Sequence, residues 1–214
     1  MNIEVVDKFK YLGMMKTTDG NMKEEIDARI GAASRCYFSL LDLFKKRSIS
    51  EKTKLRVYNT IIRPILLYGC ETWALTKVLE KRLEVFENKI LRKITGPIFD
   101  QETLEWRIRH NWEIRDRTQQ PHISQVVKSR RIQLAGHIAR MEDTRLPKQM
   151  LTAEVIGRRP LGRPRKDWHR CLREDLNSEG IEMNTWMDLA QDRGGWKRLA
   201  RAVKGQRVAQ RPVE

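Results

Sequence analysis

The chain has 214 residues, of which 40% are hydrophobic, and this fraction is high enough to bury a core and argues against wholesale disorder. Three cysteines, an odd number, exclude a disulfide framework and indicate a reducing compartment. No apolar run reaches the roughly 20 residues that span a bilayer, and no signal peptide is visible, so we expect a nuclear or cytoplasmic protein that is not secreted.

Hydrophobic periodicity in the first half predicts a β-strand and a turn followed by three helices. The strand covers about residues 3–15, and Asp19-Gly20 favours a turn over 17–20. The helices are expected at about 22–46, from 51 with Ser50 as N-cap, and over 79–94 before Gly96-Pro97. Pro64 predicts a kink or break near residue 63. These helices would pack as a small bundle.

The second half is predicted to be a smaller and looser helical region. We expect a short helix and loop over 104–112, a break at 119–121, and a helix over 124–141 in which Gly136 lets another backbone approach closely. Another element begins at Leu146-Pro147. Asp167 is expected to cap a helix over 168–176, and a last helical pair to lie around Gly194-Gly195 before a frayed tail. The fold class is therefore mainly α.

The positive charge is concentrated in the second half. Lysine and arginine number 43 against 28 acidic residues, and residues 128–173 alone hold 13 basic and 4 acidic residues. The basic residues change from mainly lysine to mainly arginine near residue 100, which indicates a boundary between 1–97 and an Arg-rich region over 98–214. An excess of this size favours nucleic acid as partner, although charge alone also leaves ribosomal and membrane-surface roles open.

The strongest motif is the basic loop 157–167, in which two prolines hold five basic residues in an extended segment. Its Gly162-Arg-Pro164 core is similar to an AT-hook, but Leu161 replaces the preceding arginine, which weakens any preference for A·T pairs. An interdomain loop or a nuclear-localisation patch is the alternative. For Trp168, anchoring of its helix is favoured over base stacking. The candidate contacts to RNA or DNA are Lys128, Arg130, Arg131, Arg158, Arg159, Arg163, Arg165, Lys166 and Trp168.

Catalytic and metal-binding patterns are missing from the sequence. Two-metal phosphoryl transfer requires clustered carboxylates, and the chain contains no Asp-Asp pair. Glu142-Asp143 and Glu174-Asp175 are predicted to be ordinary surface acids. His169 and Cys171 lack a second ligand pair at zinc spacing. We therefore predict no catalytic residue, no metal and no cofactor.

Three blocks of sequence resemble non-LTR (LINE-type) retrotransposon reverse transcriptases over about residues 5–200. Phe9-Lys-Tyr-Leu-Gly13 with Asp19-Gly20 resembles the end of the palm and the start of the thumb. Ile61-Ile-Arg-Pro-Ile-Leu-Leu-Tyr-Gly-Cys-Glu-Thr-Trp73 is similar to the thumb. Gly136-His-Ile-Ala-Arg-Met141 and the Gly162–Trp168 segment look like the C-terminal region of several clades.

The resemblance implies a fragment whose fingers, catalytic palm and endonuclease would lie before Met1. Residues 1–20 would then be a palm remnant and 21–97 a thumb-like bundle. The resemblance also implies that the thumb packs against the primer–template duplex and that the C-terminal part contributes to nucleic-acid binding. Some members carry a zinc knuckle, which this sequence lacks. Five positions that match the thumb are predicted to be core packing, namely Tyr58, Ile61, Pro64, Tyr68 and Trp73.

Several functions follow as hypotheses. The first is a non-catalytic remnant that binds RNA or DNA backbones with low sequence specificity through its Arg-rich region. The second is a protein-interaction or scaffold module, in which an exposed face of the bundle binds a protein partner. A decayed element copy without a selected role is the third. An active reverse transcriptase would require carboxylates that the sequence does not provide.

Overall fold

The computed structural model describes residues 6–18, 20–153 and 166–205, and within them the fold is mainly α with β-strands first in the chain, as predicted. The described residues form two compact units. The first unit contains 6–69 and 77–123, and the second contains 70–76 and 124–205. The division at 20 and 97 that composition and resemblance suggest is not tested by this separation and stays a prediction.

The first unit opens with a β-hairpin, so β-structure is present where a strand was predicted over residues 3–15, but in the described residues a turn at 12–13 divides it into two strands. Strand β1 (Lys8–Tyr11) pairs antiparallel with β2 (Met14–Thr17), and Tyr11 lies opposite Met14. Leu12 and Gly13 form the connection with φ of 47° and 81°. Two central residues with positive φ are typical of the type I′ turn that favours tight hairpins. The turn predicted at 17–20 is confirmed, since the Gly20 N–H donates to the Thr17 carbonyl at 3.0 Å.

The helix predicted over 22–46 is two helices, α1 (Lys23–Ser39) and α2 (Leu41–Lys45). Leu40 separates them with a φ of −101° and a ψ of 9°. The Ser39 hydroxyl donates to the Cys36 carbonyl at 2.8 Å, a local bond that competes with helix continuation. Apolar periodicity runs through such a break, so the pattern did not detect it.

The next helix continues through Pro64 because a π-helical turn precedes the proline. Helix α3 (Glu51–Val57) is capped by Ser50 as predicted, and the Thr53 N–H donates to the Ser50 Oγ at 3.2 Å. A π-helical turn at Tyr58–Ile62 follows, and then α4 (Arg63–Leu66). A proline lacks an N–H and clashes with the carbonyl four residues earlier, and the wider turn moves that carbonyl.

The rest of the first unit is two helices with a second hairpin between them. Helix α5 (Lys77–Thr95) ends at Gly96 with a φ of +69°, as predicted. Strands β3 (Ile98–Asp100) and β4 (Glu105–Arg107) replace the short helix predicted from residue 104, which was wrong. The Arg107 guanidinium contacts Asp100 and Glu113 at 2.8 Å each and ties the hairpin to α6 (Asn111–Thr118).

A buried ionic network connects the helices of the first unit. The Glu87 side chain on α5 is fully buried, and its oxygens lie 3.1 Å from Arg63 Nε and 2.7 Å from Arg115 Nη2. The Tyr58 hydroxyl donates to Glu87 Oε1 at 2.9 Å. Burial first, and the Glu87 carboxylate second, raise the pKa of Tyr58 well above its usual value. Removing Glu87 would leave the largely buried guanidiniums of Arg63 and Arg115 without their carboxylate.

The described parts of the second unit contain a short 3-10 helix at Cys70–Thr72 and five α-helices, α7 (Ile123–Ala139), α8 (Leu146–Thr152), α9 (Trp168–Asn177), α10 (Trp186–Leu189) and α11 (Arg193–Gly205). The cap predicted at Asp167 is confirmed, since the Arg170 N–H donates to Asp167 Oδ1 at 2.7 Å. Gly194 and Gly195 lie in the first turn of α11 and not between the last two helices, where they were expected. The buried core consists of Ile132, Ala135, Ala139, Leu172, Leu176, Trp186, Ala190, Trp196, Ala200 and Val203.

Gly136 permits the close approach that the sequence indicated, although the approaching group is an indole and not a backbone. The Trp196 Nε1–H donates to the Ile132 carbonyl at 2.7 Å. A Cβ on residue 136 would lie 2.1 Å from that nitrogen. The glycine in α7 is therefore what allows α11 to dock.

We predict that Gly136→Ala lowers the free energy of unfolding by about 1–3 kcal/mol, because the overlap with Trp196 outweighs the better helix propensity of alanine. Gly31→Ala in α1 is the matched control, because its Cβ would meet Arg35 Nη1 at 3.5 Å, an ordinary contact. The control should gain up to about 1 kcal/mol. Urea denaturation followed by circular dichroism measures both, and equal effects would contradict the role of Trp196.

Candidate nucleic-acid interface

The predicted contact residues are divided between described and undescribed parts of the chain. Arg158, Arg159, Arg163 and Arg165, with most of the basic loop 157–167, lie outside the described residues. Lys128, Arg130 and Arg131 lie on α7, and Lys166 and Trp168 lie at the start of α9. Their ion pairs and their burial show which of these cations are bonded inside the protein and which face solvent.

Arg131 is a structural residue in this arrangement. Its side chain is 4% exposed, and its guanidinium contacts the Asp175 carboxylate and donates to the Trp73 carbonyl at 2.9 Å. A guanidinium held in this way does not reach a phosphate without breaking both bonds. The geometry therefore gives no support to the nucleic-acid contact predicted for Arg131.

Arg131 is buried because it pairs with Asp175. The prediction that Asp175 is a surface acid was wrong. Its carboxylate is buried on α9 next to Leu172 and Leu176, which belong to the core of the second unit. Burial raises the pKa of the Asp175 carboxyl, and Arg131 is the strongest opposing influence. Lys128 Nζ lies 3.9 Å from the same carboxylate, so Lys128 also interacts with this buried acid.

The remaining described candidates are also held by neighbours. The Trp168 Nε1–H donates to the Glu71 carbonyl at 2.9 Å, and its ring packs against the core of the second unit, in agreement with the anchoring alternative. Lys166 Nζ lies 2.9 Å from Glu174 Oε2, and this bond lowers the pKa of Glu174. An Arg130 Nη1–H donates to the Cys70 Sγ at 3.6 Å, and burial raises the pKa of that thiol to about 11.

Only part of the predicted thumb core is buried. Tyr58 and Trp73 are completely buried, as expected, whereas Ile61, Pro64 and Tyr68 are exposed, and the prediction for these three was wrong. Within the π-helical turn, Tyr58 and Ile62 share the buried face and Ile61 points to solvent. The Tyr68 hydroxyl instead donates to the Leu12 carbonyl at 3.1 Å, next to the hairpin turn.

Helix α11 carries a group of exposed cations that were not among the contact residues predicted from the sequence. Arg193, Lys197, Arg198, Arg201 and Lys204 are all exposed, and the helix contains no acidic residue. The spacing of four, four and three residues between Arg193, Lys197, Arg201 and Lys204 was the signal that could have identified them. Within the ranges that the structure describes, no three His, Cys, Asp or Glu side chains gather in an arrangement that could hold a metal ion.

Comparison with known proteins relates the chain to transposons. It is 27% identical over 203 residues to an uncharacterised transposon-derived protein of Caenorhabditis elegans. The matched region covers 93% of this chain and 72% of that protein. It is 32% identical over 111 residues to a Drosophila melanogaster protein named for an RNA-directed DNA polymerase from transposon X-element. The origin of the chain is transposon-related.

That second match covers 50% of this chain and 11% of the polymerase. No family model matches the chain, and no solved structure matches it. Among the helices in the described parts of the chain, none combines the length and the apolar character that crossing a membrane requires.

We predict that Arg131→Met lowers the free energy of unfolding by about 3 kcal/mol, because it leaves Asp175 buried beside a more distant cation. Lys128→Met is the matched control. Its partly exposed side chain lies 3.9 Å from Asp175, and we expect a loss below about 1 kcal/mol. Urea denaturation measures both variants. A stable Arg131→Met protein with reduced nucleic-acid affinity would instead assign Arg131 to the interface.

Proposed function

We propose that the chain is the thumb and post-thumb part of a non-LTR reverse transcriptase, and that it binds RNA or DNA backbones without catalysis through its Arg-rich C-terminal region. The relationship to a transposon-derived protein over most of the chain supports the origin. The similarity of half the chain to a transposon polymerase supports the link to reverse transcription.

The observation that carries the binding proposal is the local charge of residues 128–173, with 13 basic and 4 acidic residues. Asp175 and Glu174, just after this segment, neutralise Arg131, part of Lys128 and Lys166. The basic loop 157–167 holds the largest share of the positive charge that remains. Backbone contact without base readout is the form of recognition that such a loop supports.

The non-catalytic part of the proposal rests on the sequence, which has no Asp-Asp pair to hold the two cations of a polymerase. The purified chain should therefore add no nucleotide to a primer annealed to an RNA or DNA template with Mg²⁺ or Mn²⁺ present. Primer extension by the chain alone would overturn this part and leave the binding part intact.

We predict that replacing Arg158, Arg159, Arg163, Arg165 and Lys166 by alanine weakens nucleic-acid binding and leaves the fold intact. If six phosphates are contacted, log K falls with log salt concentration with a slope of about −5, and the variant should show a much shallower slope. Fluorescence anisotropy with labelled duplex and single-stranded probes measures the slope.

The matched control replaces five exposed cations of the first unit by alanine, namely Lys45, Lys46, Arg47, Lys52 and Lys89. It removes the same net charge from a different place. Equal losses in the two variants would mean that net charge alone drives binding, and this result would contradict a site in the loop.

The alternative function, a protein-interaction module, is favoured by exposed apolar residues on the second hairpin. Leu104, Trp106 and Ile108 are 73%, 70% and 72% exposed. Trp106 packs edge-on against Phe99, with ring centroids 5.5 Å apart. Apolar side chains that share one region of surface are typical of a protein contact.

If this alternative holds, the chain should self-associate or bind a protein through the hairpin. We expect light scattering at tens of micromolar to show a mass above the monomer, and Trp106→Ser with Ile108→Ser to restore the monomer. A clean monomer for the unsubstituted chain would count against this alternative.

A further inference from the structure

Helix α11 combines a buried apolar face with an exposed face whose charged residues are all basic. Trp196, Ala200 and Val203 belong to the core of the second unit. The five cations Arg193, Lys197, Arg198, Arg201 and Lys204 are exposed. At about 3.6 residues per turn they occupy one continuous side of the helix. The fold therefore fixes the direction in which these charges point.

Four of these cations have no ion pair with any residue that the structure describes, unlike Lys128, Arg131, Lys166 and Arg170, which are paired with Asp175 or Glu174. The fifth cation, Arg198, has its Nη2 3.9 Å from Asp192 Oδ2. Neighbours such as Arg193 and Lys197 are four residues apart, and like charges at this spacing destabilise a helix. A bound polyanion would relieve this repulsion.

The start of α11 is fixed by Asp192. Its carboxylate accepts from the Gly194 N–H at 2.9 Å, and its backbone carbonyl accepts from the Trp196 N–H at 2.9 Å. A Cβ on Gly195 would lie 2.4 Å from Asp192 Oδ2, so glycine leaves room for this cap. With Trp196 also bonded to Ile132, the basic face is presented on a rigid element.

Four of the exposed cations, Arg193, Lys197, Arg201 and Lys204, form a row along α11, and the length of this row suits a rigid duplex. At about 1.5 Å rise per residue, Arg193 and Lys204 are separated by about 16 Å along the helix axis. A nucleic-acid duplex carries one phosphate charge per about 1.7 Å of its own axis, so several phosphates lie within reach. The backbone of α11 is already folded before binding, so it loses little conformational entropy when its side chains contact a duplex.

Two other partners fit the row less well. Binding to a membrane surface uses the apolar face of an amphipathic helix, and here that face is inside the core. Single strands bind to aromatic side chains on which bases stack, whereas the single aromatic residue of α11, Trp196, is 4% exposed.

We propose that the basic face of α11 is a second contact site, which binds the phosphate backbone of a nucleic-acid duplex. This inference rests on the proposed nucleic-acid binding of the C-terminal region and adds a surface separate in sequence from the basic loop 157–167. Arg193, Lys197, Arg201 and Lys204 are the contact residues, and no base is read.

The test uses the full chain with Arg193, Lys197, Arg201 and Lys204 replaced by glutamine, which keeps helix propensity. We expect the slope of log K against log salt on a short duplex to become shallower by about 2–3.6, at up to about 0.9 per lost phosphate contact. The matched control replaces Lys45, Lys46, Arg47 and Lys52 by glutamine. It removes the same charge from the first unit and should leave the slope nearly unchanged.

The outcomes separate the two proposals. If the unsubstituted chain binds the duplex and the α11 variant matches the control, the α11 site is overturned and the proposed function stands. If only single-stranded binding or binding to anionic vesicles is lost, the duplex assignment is also overturned. A chain that binds no probe would remove both proposals.

Circular dichroism and urea denaturation must show that the α11 variant is folded. If it is not, the single variants Arg201→Gln and Lys204→Gln replace it, and each should make the slope shallower by about 0.9. Unchanged slopes in both single variants would overturn the site.

Discussion

Burying a carboxylate costs free energy unless cations or hydrogen-bond donors lie beside it, and this constraint decides where three arginines of the chain lie. In the first unit, Glu87 lies between Arg63 and Arg115 and joins α4, α5 and α6. In the second unit, Asp175 contacts Arg131 and joins α7 to α9. These arginines stabilise each unit separately, and as long as the units are folded they contribute little to binding a polyanion.

Formal charge therefore overstates the basic surface that a partner meets. The +15 of the chain includes guanidiniums that are buried and paired, and it gives the same weight to Arg131 and to Arg201. The structure separates them, because Arg131 has a buried acid as partner whereas Arg201 lies exposed on a helix without acids. For a transposon-related chain of this composition, position in the fold therefore separates buried, paired cations from exposed ones, which a count along the sequence does not.

Capping and stop residues in the sequence predicted the ends of the helices well. They gave no information on contacts between residues far apart in the chain. The cap at Ser50, the stop at Gly96 and the cap at Asp167 depend on neighbours within four residues, and all three are confirmed. The hairpin at Leu12 was missed because a leucine with positive φ has no sequence signature. Arg131 was assigned to the interface because its partner Asp175 lies 44 residues further along the chain. The basic loop 157–167 and four of its arginines stay predictions.

The π-helical turn at Tyr58–Ile62 and Pro64 form a linked pair within one helix. Deleting one residue from the turn would restore regular α-helical hydrogen bonding and bring the proline ring against a backbone carbonyl. It would also rotate every following side chain of α4 by about 100° and withdraw Arg63 from Glu87. Substitution of the proline alone would carry no such penalty. Chain length in this segment is therefore under tighter constraint than residue identity, and gaps in related sequences should avoid it.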